Sequence, residues 1–283
     1  MRASDPDAVA SALAKRERGM LSFPRKLFLV AADHPGRGVL AAGGDPRAMA
    51  DRGAFLDRLT IALAHPEVDG VLATADIVDD LALLGALNEK VVFGSMNRGG
   101  LAGSVFELDD RFTGYTAAAI ARDGLNGGKM MLRVADDDPG TVRTMEACAA
   151  AIDALGALGL HAMIEVFASR TVDGTSSNDL SVEATMRAIA VASALGGSSA
   201  RTWLKLPVMD EQERLLSATT LPVVLLGGDP GRDEQGRVAT YARWAASMTL
   251  PQVRGLVAGR TLLYPPDGDV RGAVDAAAKI VRG

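Results

Sequence analysis

"TWLKLPV", residues 202–208, places a lysine inside a run that otherwise reads as a buried strand, with Trp203 and Leu204 before it and Leu206 and Pro207 after it. Seven further apolar runs share its character: "KLFLVAAD" (26–33), "VDGVLAT" (68–74), "KVVFGSM" (90–96), "GGKMMLRV" (127–134), "LHAMIEVFA" (160–168), "LPVVLLG" (221–227) and "VRGLVAG" (253–259). With "ARTWLKL" (200–206) they make eight candidate strands. Amphipathic segments of 3.6-residue period lie between them, among them 46–64, 141–158, 182–195, 238–248 and 270–281. Strands alternating with helices imply right-handed crossovers and a parallel sheet, and near-continuous apolar strands fit a sheet covered on both faces. Eight such units in about 250 residues predict an α/β fold, a (β/α)8 TIM barrel. An open doubly wound sheet is the alternative, but it carries a Gly-rich fingerprint after its first strand. Here that strand runs into "AADHPGRG", without a GxGxxG.

The 283 residues are long enough, and at 48% hydrophobic apolar enough, to bury a large core. A single barrel domain over 1–283 is expected, since no composition shift marks a linker, with 1–25 as an N-terminal extension. Within it "SDPDAVASALAKRERG" (4–19) offers Ser4 or Asp5 as an N-cap, Pro6 or Asp7 in the first turn and Gly19 as a stop. This predicts an extra helix capping the barrel floor. The balance of 35 acidic against 30 basic residues, a net charge of -5, argues against a nucleic-acid or anionic-membrane partner. The one cysteine, Cys148, excludes an internal disulfide framework and reads as core packing in a helix of alanines. Neither a cationic-then-apolar leader nor an apolar run near about 18 residues is present, so a cytoplasmic location is expected. Barrels of this kind often pair, so a homo-oligomer is expected too.

Chemistry in such a barrel belongs at the C-terminal strand ends and the loops that follow them. The first strand ends in Asp33-His34, and the third runs into the long Gly-rich connection 97–115, whose length suggests a functional loop. The fourth carries Lys129 and Arg133, the fifth Glu165 followed by a flexible 169–181, and the sixth Lys205. Side chains alternate along a strand, so Lys205 shares a face with Trp203 and Pro207 while Leu204 and Leu206 face the helices. That assigns Lys205 to the barrel interior. By the same parity Lys129, Met131 and Arg133 share one face, as do Met163, Glu165 and Phe167. Burying such charges costs several kcal/mol each unless they pair or change protonation state.

Two readings follow. In the structural one, Lys205 with Glu165, or Lys129 with Asp33, is an ion pair that fills the barrel centre. In the chemical one, a lysine attacks a carbonyl; it must first lose its proton, which desolvation and a neighbouring cation favour. The carboxylates then shuttle protons as a carbinolamine dehydrates and a carbon–carbon bond breaks. Gly227-Gly228 and Gly259-Arg260, at the ends of the last two strands, fit a phosphate site, because small residues let backbone N–H groups approach an anion. A zinc site needs a cluster of histidines or similar ligands; there are only three histidines, two of which read as structural, so neither metal nor cofactor is expected. His161 and His65 read as structural, and His34, near the mouth, as a substrate contact or a turn hydrogen bond. "DDDP" (136–139) reads as a helix cap rather than a Mg²⁺ site, and "LDDR" (108–111) is open between ligand contact and structure.

These motifs resemble a known family. "TWLKLPV", "LPVVLLGGD" and "GLVAGR" are similar to the second half of the (β/α)8 class I aldolases related to tagatose-bisphosphate and deoxyribose-phosphate aldolases, and "LVAADHPGRG", "GGKMMLRV" and "AMIEVFA" to the first half. The resemblance implies Lys205 as the imine-forming nucleophile, with Asp33, Lys129 and Glu165 as polar and proton-transfer partners. It implies Gly228, Gly259 and Arg260 as phosphate ligands. The chain departs from the pattern at Leu132-Arg133-Val134, where relatives often carry an aromatic residue, so the resemblance names no proton donor. The 97–115 segment resembles a bacterial aldolase-like family associated with myo-inositol catabolism. That likeness implies cleavage of 2-deoxy-5-keto-gluconate 6-phosphate, with Arg98, Arg111 or Arg133 binding its carboxylate through a guanidinium fork. Two other functions fit the same barrel: a phosphosugar isomerase or synthase using acid/base chemistry alone, and a non-catalytic sugar-phosphate sensor.

Overall fold

The computed structural model describes residues 2–172, 175–229 and 233–283. Eight strands close into a parallel barrel: β1 (Leu27–Ala32), β2 (Gly70–Ala73), β3 (Val91–Ser95), β4 (Gly127–Val134), β5 (His161–Val172), β7 (Thr202–Leu206), β8 (Val223–Leu226) and β9 (Val253–Ala258), which pairs back onto β1. The β4 span coincides with the apolar run read from the sequence, and the others differ from theirs only at the ends. The barrel helices follow as α2 (Arg52–Leu63), α3 (Ala75–Leu83), α4 (Ala117–Arg122), α5 (Gly140–Ala157), α6 (Val182–Ser193), α7 (Gln212–Leu216), α8 (Glu234–Met248), α9 (Arg260–Leu263) and α10 (Val270–Arg282). Several start on a side-chain cap: Asp51 accepts from the Ala54 N–H, Thr116 from Ala119 and Asp269 from Gly272. The last helix buries Val270, Ala273, Val274, Ala277, Ala278 and Val281, a single stripe at helical spacing. Among the described residues no helix is long and apolar enough to cross a membrane.

Strand parity holds. The outward-facing Met130, Leu132, Ile164, Val166, Leu204 and Leu206 join the layer between sheet and helices, whereas Leu27, Leu29, Leu72, Phe93, Met163, Trp203, Val224 and Val257 fill the barrel. Two elements differ from expectation. The segment after the fifth strand is not a plain flexible loop: β5 runs on, and β6 (Thr175–Asp179) pairs with it antiparallel, so the two form a hairpin above the barrel. Asp173 and Gly174 of that segment lie outside the described residues. The N-terminal helix, α1 (Ala8–Lys15), does not cap the floor; it packs against α3 at the barrel's side. It ends before Gly19, whose N–H donates to the Lys90 carbonyl at 3.1 Å. A Cβ there would come within 2.4 Å of the Lys90 carbonyl carbon, so Gly19 serves a close backbone approach rather than a helix stop. The chain beyond it closes the floor, with Phe23 tilted against Trp203 at 5.6 Å between ring centroids and His161 edge-on to Trp203 at 6.2 Å.

Candidate active site

Glu165 and Lys205 are register partners on adjacent strands, and their Oε1 and Nζ atoms lie 2.9 Å apart. Lys129 starts one interior position lower, opposite Met163. Its chain therefore runs up the barrel axis to set Nζ against the other Glu165 oxygen and 3.1 Å from Asp33 Oδ2. Asp33 also binds the Arg98 guanidinium and accepts from Ser95 Oγ at 3.1 Å. The four predicted catalytic residues thus form one row, Asp33, Lys129, Glu165 and Lys205, in which each ammonium touches a carboxylate. Both ion pairs of the structural reading, Lys205 with Glu165 and Lys129 with Asp33, are present.

Burial and neighbouring charge set the protonation states of this row. Lys129 is fully buried, and desolvation, helped by the Arg98 cation, brings its ammonium down to about 8. Burial alone raises the Asp33 and Glu165 carboxyls. The cations around them outweigh it, Arg98 and Lys129 for Asp33, Lys129 and Lys205 for Glu165, and both stay well below the usual carboxylate range. His34 is pushed down to about 3 by burial, which outweighs the Asp33 charge, so its imidazole is neutral at neutral pH. Burial pushes the Cys148 thiol up to about 12, in keeping with a packing role.

A cavity of about 300 Å³ opens above the row. Lys205 and Glu165 line it; Lys129 and Asp33 lie beneath its wall. Gly227, Gly228, Gly259, Arg260 and His34 line one side, where the sequence placed the phosphate. Gly228 has φ +70 with open space where a Cβ would stand, a left-handed conformation that favours glycine. A Cβ on Gly259 would meet the Ala31 carbonyl oxygen at 2.3 Å. Arg260 is oriented by Asp229 at 2.8 Å. Thr261, which the sequence did not single out, donates from Oγ1 to the Gly227 carbonyl at 3.0 Å and ties the two glycine turns together.

The expected carboxylate-binding arginines separate. Arg98 is not a lining residue: it turns inward to Asp33, and its Nε donates to Ser95 Oγ at 2.9 Å. Arg111 is exposed and pairs with Asp109 at 2.8 Å. Arg133 does line the cavity, held by Asp110 through Nε and Nη2, both at 2.9 Å. "LDDR" is accordingly structural at Asp110, and in "DDDP" Asp138 accepts from the Gly140 N–H at 2.7 Å at the start of α5. Sequence reasoning missed Arg37, in the short turn after β1, and Glu107, in the 97–115 connection; both line the cavity. It also missed Ser176, Ser177 and Asn178, which the β6 hairpin brings to the rim. These lie in turns or a polar strand, where no hydrophobic period fixes orientation.

Residues 25–278 match the family model described as Cgl0159-like. The crystal structure of Cgl0159 from Corynebacterium glutamicum superposes with a TM-score of 0.95 at 49% identity, over 99% of this chain and 94% of that one. Two more distant structures share the fold. One is a Schiff-base-forming fructose-1,6-bisphosphate aldolase, with TM-score 0.67 at 15% identity over 96% of this chain and 99% of the other. The second is an archaeal fructose 1,6-bisphosphate aldolase, with TM-score 0.68 at 15% identity over 97% and 99%. No curated protein matches the sequence.

Proposed function

The chain belongs to the Cgl0159-like family, and we propose that it is a class I aldolase acting on a phosphorylated keto sugar or keto acid through a Schiff base on Lys205. One observation carries this: at the cavity floor a lining lysine meets a carboxylate whose second oxygen is held by another, fully buried lysine. Structural ion pairs need only one cation per carboxylate, and an amine directed into a cavity is where a carbonyl would meet it. The barrel shared with Schiff-base-forming fructose-1,6-bisphosphate aldolase supports the reading by likeness of fold.

In this reading the Lys205 amine, once it has given up its proton, adds to the substrate ketone. The carbonyl oxygen takes up two protons and leaves as water, giving a protonated imine. The bond one carbon further on then breaks as the neighbouring hydroxyl loses its proton: its electron pair moves into the imine, releasing an aldehyde and leaving an enamine. Protonation at carbon and hydrolysis return the amine. Glu165 is the group in contact with Lys205 that moves protons in these steps. Lys129 keeps it anionic between transfers, while Asp33, Arg98 and Ser95 position Lys129. Gly227, Gly228, Gly259 and Arg260 would hold the phosphate, with neutral His34 beside them as a hydrogen-bonding partner for the substrate.

The first substrate to test is 2-deoxy-5-keto-gluconate 6-phosphate, which this reaction cleaves to dihydroxyacetone phosphate and malonate semialdehyde, in a cytoplasmic homo-oligomer. Incubation with a panel of phosphorylated ketoses and keto acids, followed by borohydride and mass spectrometry, tests the proposal. An adduct on Lys205, absent in Lys205→Ala, is the expected result. No adduct with any ligand that binds would leave acid/base chemistry or sensing as the function.

A further inference from the structure

Arg133 stands at the C-terminal end of β4 and Arg260 follows β9, strands four places apart in a barrel of eight and therefore diametrically opposite. The connection bearing Glu107 follows β3, opposite the Gly227-Gly228 turn after β8. The cavity thus has a second arginine-bearing end, facing the first across Lys205. There Arg37 Nη2 and Arg133 Nη1 converge on one atom, Glu107 Oε1, each at 3.1 Å. Their other donors are engaged elsewhere. Arg37 gives Nε to the Gly100 carbonyl at 3.0 Å and Nη1 to Met131 Sδ at 3.2 Å, while Arg133 gives Nε and Nη2 to Asp110.

We infer that Arg37 and Arg133 form a carboxylate subsite of this cavity, and that Glu107 is its internal occupant, displaced when a substrate carboxylate enters. Two guanidinium nitrogens, one from each arginine, aimed at one point fit a carboxylate, and a carboxylate oxygen is what they hold. Two guanidinium groups and the Asp110 and Glu107 carboxylates make the cluster neutral, so removing Glu107 leaves one positive charge that an incoming carboxylate cancels. Desolvation and the neighbouring Arg133 depress the Arg37 guanidinium, as expected of cations crowded away from water. Only the Glu107 side chain has to swing. Its main-chain carbonyl still accepts from Arg133, and Asp110 keeps Arg133 in place. The bond given up besides those to arginine is the Gly103 N–H to Oε2, at 2.7 Å. Val105 and Phe106, between Gly103 and Glu107, are solvent-facing, Val105 at 96% exposure, so the displaced carboxylate has water to enter.

The inference deepens the aldolase reading by giving its substrate a carboxylate at the end remote from the phosphate. Three uncleavable probes separate the two: 6-phosphogluconate, glucitol 6-phosphate and glucitol 1,6-bisphosphate, titrated calorimetrically into the full chain. Wild type is expected to bind 6-phosphogluconate about tenfold more tightly than either other probe. Arg37→Met should erase that preference, read as the ratio of the 6-phosphogluconate and glucitol 6-phosphate affinities. Glu107→Ala should enlarge it several-fold, and Glu107→Gln, nearly the same shape, serves if the alanine variant does not fold. Equal binding of 6-phosphogluconate and glucitol 6-phosphate, a bisphosphate as tight as the acid, no probe binding at all, or weaker acid binding in both Glu107 variants would each overturn the subsite. Borohydride trapping reports on Lys205 independently, so a protein that traps no imine yet prefers the acid keeps the subsite and loses the aldolase.

Discussion

Trp203 and Lys205 stand two residues apart on one strand and face the same barrel axis, yet one belongs to a floor and the other to a site. Around Trp203 the interior is apolar, with Leu27, Leu29, Leu72, Phe93 and Met163 among the residues of its cluster. One interior layer higher it is charged: Glu165 and Lys205 stand there, the Lys129 ammonium reaches up to them from the level of Trp203, and all three are buried together with Asp33 and Arg98. The lower half gains free energy from every side chain it buries. The upper half loses it to desolvation and recovers it through ion pairs. Stability and reactivity are therefore separated along the strand direction, and a single step of two residues crosses the boundary.

This contrast breaks if substitutions in the two halves have interchangeable effects. The largest expected effect is at the top: Lys205→Met should cut imine trapping by about a thousandfold or more. Its unfolding free energy should stay within about 1.5 kcal/mol of wild type, because Lys129 still pairs with Glu165. Urea unfolding and borohydride trapping on one preparation check both. At the bottom Trp203→Ala should do the reverse, losing about 3 to 5 kcal/mol of unfolding free energy while each folded molecule still traps the substrate at near the wild-type rate.

A pH titration sharpens the comparison. Lys129 is lowered from 10.5 to about 8 in the folded state. Between those values the unfolded chain binds a proton that the folded chain does not, so stability rises with pH there. The cost of burying the ammonium is fully present below about 8 and is withdrawn as pH climbs towards 10.5. Wild type should thus gain about 2 kcal/mol relative to Lys129→Met between about pH 8 and 9.5. A flat difference would mean that Lys129 titrates at its ordinary value. The smallest expected effect is Gly228→Ala, about 1 kcal/mol from the left-handed backbone alone, with phosphate affinity measured beside stability.

The eight strands and the inward direction of Lys129, Glu165 and Lys205 were legible in the sequence. Apolar period and strand parity are local properties of the chain, and a barrel buries both strand faces. The same holds for the glycine turns after the last two strands. The outcome for Arg98 was not legible, because its direction depends on Asp33, 65 residues away. Nor was the pairing of Arg37 and Arg133 with Glu107, 70 and 26 residues apart in the chain. Gly19 and the β6 hairpin were misread for a related reason: a glycine or a polar stretch states only what the backbone is permitted, and the neighbour it meets decides the use. The sequence by itself therefore determined which residues line the inside of this barrel. Only the tertiary structure decided which charges meet there, because strand alternation is enforced at every residue, whereas ion pairs form between loops whose separation is set by closure of the whole sheet.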